Sequence, residues 1–307
     1  MASPMASPAA SPAAAMPAPK PAAAGELGSA AKPLKMAFVP SSDSQKVLGS
    51  GQPLADLLTQ ITGLVFQVSV PTSYAAVIEA MGAENVDIGW LAPFAYILGR
   101  EKFQTEVILS SVRGGSKTYT GQIIAHADSG ITSIEGLKGK KFAFVDPGSA
   151  SGFLYPNALL ASKDIDYKTA FSETIFAGGH DKVVIAVYNK QVDGGATFGD
   201  SVPGVQTDAR TNVVSTLPDV MSKVKVVDMT APIPNDTVSV RKGLPPALVA
   251  QLKEGLLATA QTEDGKRLLK TLYSIDGLAS AEDKEYDSVR NAARVLNLNL
   301  EQELAPR

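Results

Sequence analysis

Residues 144–156 read FVDPGSASGFLYP, and their reading decides the architecture. An apolar strand end meets an Asp-Pro turn, then small residues flanked by Gly148 and Gly152, then a run of helical character. A strand feeding a helix through a short loop is the repeating unit of α/β folds. The alternation extends both ways. Upstream, KMAFV (35–39), LVFQVSV (64–70), DIGWL (87–91) and TEVILSSVR (105–113) read as strands. Between them PLADLLTQITG (53–63), SYAAVIEAMGAENV (73–86) and 92–101 have helical spacing, the first stopped by Gly63. After 114–131 the pattern restarts: SIEGL is a short helix and KKFAFVD a strand. TIFAG (174–178) and VDGGATF (192–198) bracket the helix DKVVIAVYNK (181–190), and KVKVVDMT (223–230) closes the unit. APIPNDTVSVRKGL (231–244) returns as an extended segment before helices near 246–260 and 264–273. The expected fold is α/β with two lobes, each a mainly parallel sheet flanked by helices. Residues 34–122 and 232–307 form the first lobe and 123–231 the second. Two hinge crossings then leave a cleft, where such folds place their ligands.

Composition narrows the function classes. Hydrophobic content of 45% with 19% charged residues belongs to a folded chain, and 307 residues suffice for two cores. The net charge of −3 provides no general field for nucleic acid or anionic lipid. With no cysteine, and with only His126 and His180 as histidines, disulfides, thiolate chemistry and histidine-rich metal sites drop out. No cofactor is expected. No stretch approaches the ~20 apolar residues of a membrane span, and the N-terminus lacks the basic and apolar regions of a signal peptide. Residues 1–33, rich in alanine, proline and serine, read as a disordered tail or linker. A sharper reading makes them the spacer behind a lipid anchor.

The GSASG loop has three candidate uses. A nucleophile elbow needs serine at the centre of G-x-S-x-G, where this sequence has Ala150. A Walker A loop needs four intervening residues and Gly-Lys-Ser/Thr; here three intervene and Phe153 follows Gly152. An anion cradle fits better. The first amides of a helix lack intrahelical partners and carry the positive end of its dipole. Ser149 and Ser151 add hydroxyl donors. The loop alone does not separate this from an ordinary serine cap. A second strand-glycine-helix junction, FAGGHDKVVIAVYN (176–189), would bring His180 and Asp181 to the same cleft. His180 there reads as a ring N–H donor or as a solvated helix-start residue, and Asp181 as a first-turn carboxylate. Asp200 in TFGDSV could face a cationic ligand tail or cap a turn, while Asn235 and Asp236 read as hinge-turn residues.

Taken together, PLADLLTQITG, SYAAVIEAMGAENVDIGWLAPFAY, FAFVDPGSASGFLYP, GGHDKVVIAVYNKQVDGGAT and PIPNDTVSVRKGLPPAL resemble one family in order across 35–290. It is the phosphate/phosphite/phosphonate-binding family of ABC-importer substrate-binding proteins. The resemblance implies a type II periplasmic-binding fold, an extracytoplasmic location, a monomer and delivery of a small oxyanion to a permease, without catalysis. It implies that Ser149, Ala150, Ser151 and Gly152 hold the oxyanion, with His180, Tyr74 and Tyr119 completing the shell. It also implies that Trp90, Pro93, Phe94 and Tyr96 border the cleft. The family's loop is usually Ser-Thr-Ser-Gly, so Ala150 removes one hydroxyl. A lost hydrogen bond to a charged group costs on the order of 1.5–3 kcal/mol, about tenfold to a hundredfold in affinity. Two other readings remain: the same fold holding a larger, thiamine-phosphate-like organic phosphate, and a serine hydrolase using His180 as base.

Overall fold

The computed structural model describes residues 19–200 and 207–298. The first sheet contains β1 (Leu34–Phe38), β2 (Phe66–Ser69), β3 (Ile88–Leu91), β4 (Glu106–Val112), β10 (Thr237–Val240) and β11 (Gly277–Ser280). Their order is β11-β4-β10-β3-β1-β2. The second sheet contains β5 (Thr118–His126), β6 (Lys141–Phe144), β7 (Glu173–Phe176), β8 (Gly194–Phe198) and β9 (Val224–Pro234), in the order β7-β6-β8-β5-β9. Helices α1 (Ser44–Thr62), α2 (Tyr74–Gly82) and α3 (Pro93–Phe103) serve the first lobe. Helices α4 (Tyr155–Ala161), α5 (Tyr167–Ala170), α6 (His180–Tyr188) and α7 (Val220–Lys223) serve the second. The chain then returns through α8 (Pro246–Thr259), α9 (Glu263–Tyr273) and α10 (Asp287–Val295).

The sheets are mixed rather than mainly parallel. β1 pairs parallel with β2 and β3, and β6 with β7 and β8. β10, β11, β5 and β9 make antiparallel pairs, because the strands that carry the chain between lobes run against the βαβ units. β5 falls in a stretch that the sequence left unassigned; its Thr, Gly and Gln residues interrupt the apolar alternation. The boundaries expected at 122/123 and 231/232 lie inside β5 and β9. The chain changes sheet at 113–117 and again at 235–236, between β9 and β10.

Helix α1 starts nine residues before the expected Pro53. Asp43 caps it by accepting the Lys46 amide at 2.9 Å, and the helix runs through Pro53 to Gly63. Gly51 allows this: a Cβ there would sit 2.8 Å from the Phe38 ring, so only glycine lets the helix close on β1. Tertiary packing thus overrides three local breakers, Gly49, Gly51 and Pro53.

The tail is shorter than expected. Its residues 1–18 lie outside the described residues, but the segment from Lys20 packs on the first lobe. The Lys20 amide donates to the Thr62 carbonyl at 3.0 Å, and Gln251 Nε2 donates to both the Lys20 and Thr62 carbonyls. Ala22 and Leu27 join the apolar cluster of Leu34, Phe66 and Leu252.

The lobes are closed on each other. The His180 amide donates to the Ser41 carbonyl at 2.9 Å, and the Tyr74 amide to Asp146 Oδ2 at 3.3 Å. One apolar cluster runs from Val39 and Tyr74 across to Tyr119, Phe144 and Phe153. Behind the hinge, the C-terminal turn joins both sides: Tyr286 donates to the Asn235 carbonyl at 3.2 Å, and Tyr155 bonds Ser288 at 3.3 Å.

Candidate functional site

A cavity of about 390 Å³ lies where the lobes meet. Tyr74, Trp90, Tyr119, Ser149, Ser151 and His180, all expected at the site, line it. The Ser149–Ser151 wall follows from local geometry. After β6 the chain turns over Gly148, then enters a single π-type turn (Ala150–Leu154) before α4. Ser149 caps this turn: its Oγ accepts the Gly152 amide at 3.0 Å, and its carbonyl accepts the Leu154 amide. The wide i→i+5 turn leaves its leading amides without intrahelical acceptors, and such turns concentrate at functional sites. Ser149 therefore caps the helix and faces the cavity at once, so the sequence-level choice between cap and anion site was not exclusive.

Two residues expected to bind sit behind this wall. Ala150 is fully buried in the apolar cluster with Phe153 and Leu154 and is not among the residues lining the cavity. Gly152 has its amide engaged by Ser149, and a Cβ there would fall 2.4 Å from Val145. Its role is close packing of the turn on β6.

His180 opens α6 after Gly178, whose φ of +78° is left-handed, and Gly179, the N-cap. The Phe198 amide donates to His180 Nδ1 at 3.2 Å, and Thr197 Oγ1 lies 2.7 Å from the same nitrogen. A backbone N–H can only donate, so Nδ1 is the acceptor and Nε2 carries the proton. Burial, and secondarily the Arg113 charge, lower the His180 pKa to about 3. The ring is therefore a neutral N–H donor and not a cation. Without a free lone pair on Nε2, it is not poised to take a proton from serine.

The tyrosines close the site. Tyr119, from β5, hydrogen-bonds Ser151, and burial raises its pKa far above the ordinary phenol range. Tyr74, the first residue of α2 after the Ser73 cap, is likewise raised, first by burial and then by Asp146. Both phenols stay protonated at any physiological pH and can donate.

Several cavity residues escaped the sequence reading. Arg113 leaves the end of β4, and Asp236, read as a hinge-turn residue, sits in the return crossing; they pair at 2.5 Å across the cavity wall. Arg113 Nε also donates to the Tyr273 carbonyl at 3.0 Å. The Tyr273 hydroxyl donates to the Val39 carbonyl at 2.7 Å. Ser41, Ser42 and Lys46 line the cavity from the β1–α1 junction. The signal available in sequence was the SSVRGG strand end, an arginine beside flexible glycines.

Four expected rim residues are absent from the cavity lining. The Tyr96 hydroxyl donates to Asp283 Oδ1 at 2.5 Å, and its ring packs edge-on to Tyr286, because the α3 helix turns that face toward α10. Pro93 and Phe94 begin α3 as buried residues behind the wall. Asp200 accepts the Thr207 amide at 2.5 Å and is not among the lining residues, although Gly199 and Thr207 are. Among the described residues, no helix is long and apolar enough to cross a membrane and no acidic or histidine cluster could hold a metal ion.

Residues 36–286 match the family model described as ABC transporter, phosphonate, periplasmic substrate-binding protein. The chain is 30% identical over 281 residues to the phosphate-import protein PhnD of Mycolicibacterium smegmatis, covering 85% of each chain. It is 25% identical to the phosphonates-binding periplasmic protein of Escherichia coli, covering 78% of this chain and 70% of that one. Its fold superposes on a binding-protein component of an ABC phosphonate transporter from Pseudomonas aeruginosa, with a TM-score of 0.77, 24% identity and 86% of each chain covered. PhnD1 from Prochlorococcus marinus, solved with methylphosphonate, gives a TM-score of 0.74 at 20% identity, covering 86% of this chain and 98% of that one. From fold, cleft and matched span together, this chain belongs to the phosphonate periplasmic substrate-binding protein family of ABC transporters.

Proposed function

We propose that the protein closes its two lobes around the phosphonyl or phosphoryl oxyanion of its ligand, outside the cytoplasm, and presents it to an ABC permease. One observation carries this reading: the cavity wall gathers neutral donors from separate elements of both lobes. Ser149 and Ser151 come from the β6–α4 turn, His180 Nε2–H from α6, and the Tyr74 and Tyr119 hydroxyls from α2 and β5. Convergent dipoles of this kind hold a tetrahedral oxyanion without a surplus buried charge. The His180 tautomer, whose Nε2 offers serine no base, supports binding without turnover. Ligand would favour the closed state by bridging both walls.

A thermal-shift panel of phosphite, phosphate, methylphosphonate and methanesulfonate tests this reading, together with mass spectrometry of any co-purifying small molecule. Stabilisation should rise with the phosphorus oxyanions as the logarithm of their concentration. Co-purification of only amino acids or sugars, with no shift from any phosphorus oxyanion, would sink it.

A further inference from the structure

Each lobe caps a helix of the other. Tyr74 is the first residue of α2 in the first lobe, and His180 the first of α6 in the second. An amide at this position has no intrahelical acceptor. Ser73 accepts the Ala76 amide at 3.1 Å and leaves the Tyr74 amide to another group. α6 starts from Gly179, which has no side chain to cap it. Both acceptors come across the cleft. Asp146 Oδ2 in the second lobe takes the Tyr74 amide at 3.3 Å, and the Ser41 carbonyl in the first lobe takes the His180 amide at 2.9 Å. Both capped residues line the cavity.

Asp146 serves this seam and not the ligand. It is 8% exposed and absent from the cavity lining. Its Oδ1 accepts the Gly148 amide at 2.8 Å, and its carbonyl accepts the Ser149 amide at 2.9 Å, so it also shapes the turn that carries Ser149. Its other oxygen faces the amino end of α2, where the helix dipole favours a carboxylate. Gly148 tightens the same seam: a Cβ there would fall 2.9 Å from the Tyr74 Cβ of the opposite lobe and 3.3 Å from Asp146 Oδ1. No left-handed φ calls for glycine at this position, so the restriction comes chiefly from the closed lobes.

We propose that Asp146 and Gly148 are the positioning residues of an interlobe latch. Closure seats Asp146 on the start of α2 and the Ser41 carbonyl on the start of α6, which brings Tyr74 of the first lobe to Ser149, Ser151 and His180 of the second. Opening returns both amides to water. The latch stabilises the closed state without touching the ligand, so it sets how long a bound ligand is held. It rests on the oxyanion reading above only for the choice of probe.

The test compares wild type, Gly148→Ala and Asp146→Asn, with methylphosphonate as the probe. Asparagine has one oxygen for two amides, and alanine meets Tyr74 only when the lobes close. Trp90, the sole tryptophan, lines the cavity, so stopped-flow fluorescence reads both rates. Both variants should release methylphosphonate about tenfold faster, with association within about twofold of wild type. The chain has no cysteine, so the exposed Gln52→Cys on α1 and Lys182→Cys on α6 place one spin label in each lobe. The label distance should shorten at about tenfold higher methylphosphonate in both variants. Release rates and closing concentrations equal to wild type in both would overturn the latch and leave the oxyanion reading standing. A loss carried by the association rate instead would make Asp146 a support of the open site and also overturn the latch. If wild type does not bind methylphosphonate, the oxyanion reading falls and the ligand-free distances decide the latch: a larger open fraction in the variants supports it, and identical distributions overturn it.

Discussion

The two walls of the cavity are built by different means. The second-lobe wall is placed locally: one strand end, one π-type turn and one helix start carry Ser149, Ser151 and His180, with Ser149 held inside its own turn and the His180 ring held by Thr197 and Phe198, 17 and 18 residues on. The first-lobe wall is assembled from distant pieces, with Arg113 reaching 123 residues to Asp236 and 160 to Tyr273. The second-lobe wall supplies most of the directional donors, and the first lobe adds Tyr74 together with charge balance from Arg113 and Asp236. A binding protein can thus keep its anion grip while the facing wall changes with the substituent.

Breaking the donor wall should have the largest effect. Ser149→Ala with Ser151→Ala removes two hydroxyl donors, and affinity for methylphosphonate should drop by about a hundredfold or more in calorimetry. His180→Leu should cost roughly tenfold to a hundredfold, with partial recovery in His180→Gln, whose amide can still donate.

The same histidine predicts a pH signature. Its folded pKa of about 3 lies below the ordinary histidine value near 6.5, so between those pH values the unfolded chain binds the extra proton. The His180 contribution to stability is complete above about pH 6.5 and is lost as pH falls toward 3. Urea titrations across that window should show a steeper acid loss in the wild type than in His180→Gln. Affinity should show no His180 titration between pH 5 and 8. An affinity that falls through a pKa near 6.5 would mean a cationic ring.

Effects on the second wall should be smaller. Arg113→Met leaves Asp236 unpaired beside the ligand and should weaken oxyanion binding by about tenfold. Arg113→Met with Asp236→Asn should recover part of that loss, as a double-mutant cycle would show. Tyr96→Phe, on the far side of α3, should leave affinity unchanged and lower stability by about 1 kcal/mol through loss of the Asp283 hydrogen bond.

What the sequence made legible follows the same division. The strand-turn-helix at 144–156 and the Gly-Gly-His-Asp helix start were readable, because each is complete within about a dozen residues. Arg113, Asp236 and Tyr273 were not, because only the folded topology brings them together. The early start of α1 was hidden by Gly49, Gly51 and Pro53, which act as breakers until Phe38 packs against Gly51. β11 and α10 went unassigned, the former spanning only Gly277–Ser280, the latter identified by its packing behind the hinge. Ala150, which the resemblance counts in the oxyanion loop with one hydroxyl fewer, is buried with Phe153 and Leu154 and is not among the cavity-lining residues.

The central claim is that neutral donors, led by Ser149 and Ser151 of the second lobe, grip a phosphorus oxyanion. Its most direct test is isothermal titration of methylphosphonate into the wild type and into the Ser149→Ala, Ser151→Ala double variant, with folding of both verified. One-site binding in the wild type that is lost by about a hundredfold or more in the variant is the predicted result. Undiminished binding in the variant would contradict the account.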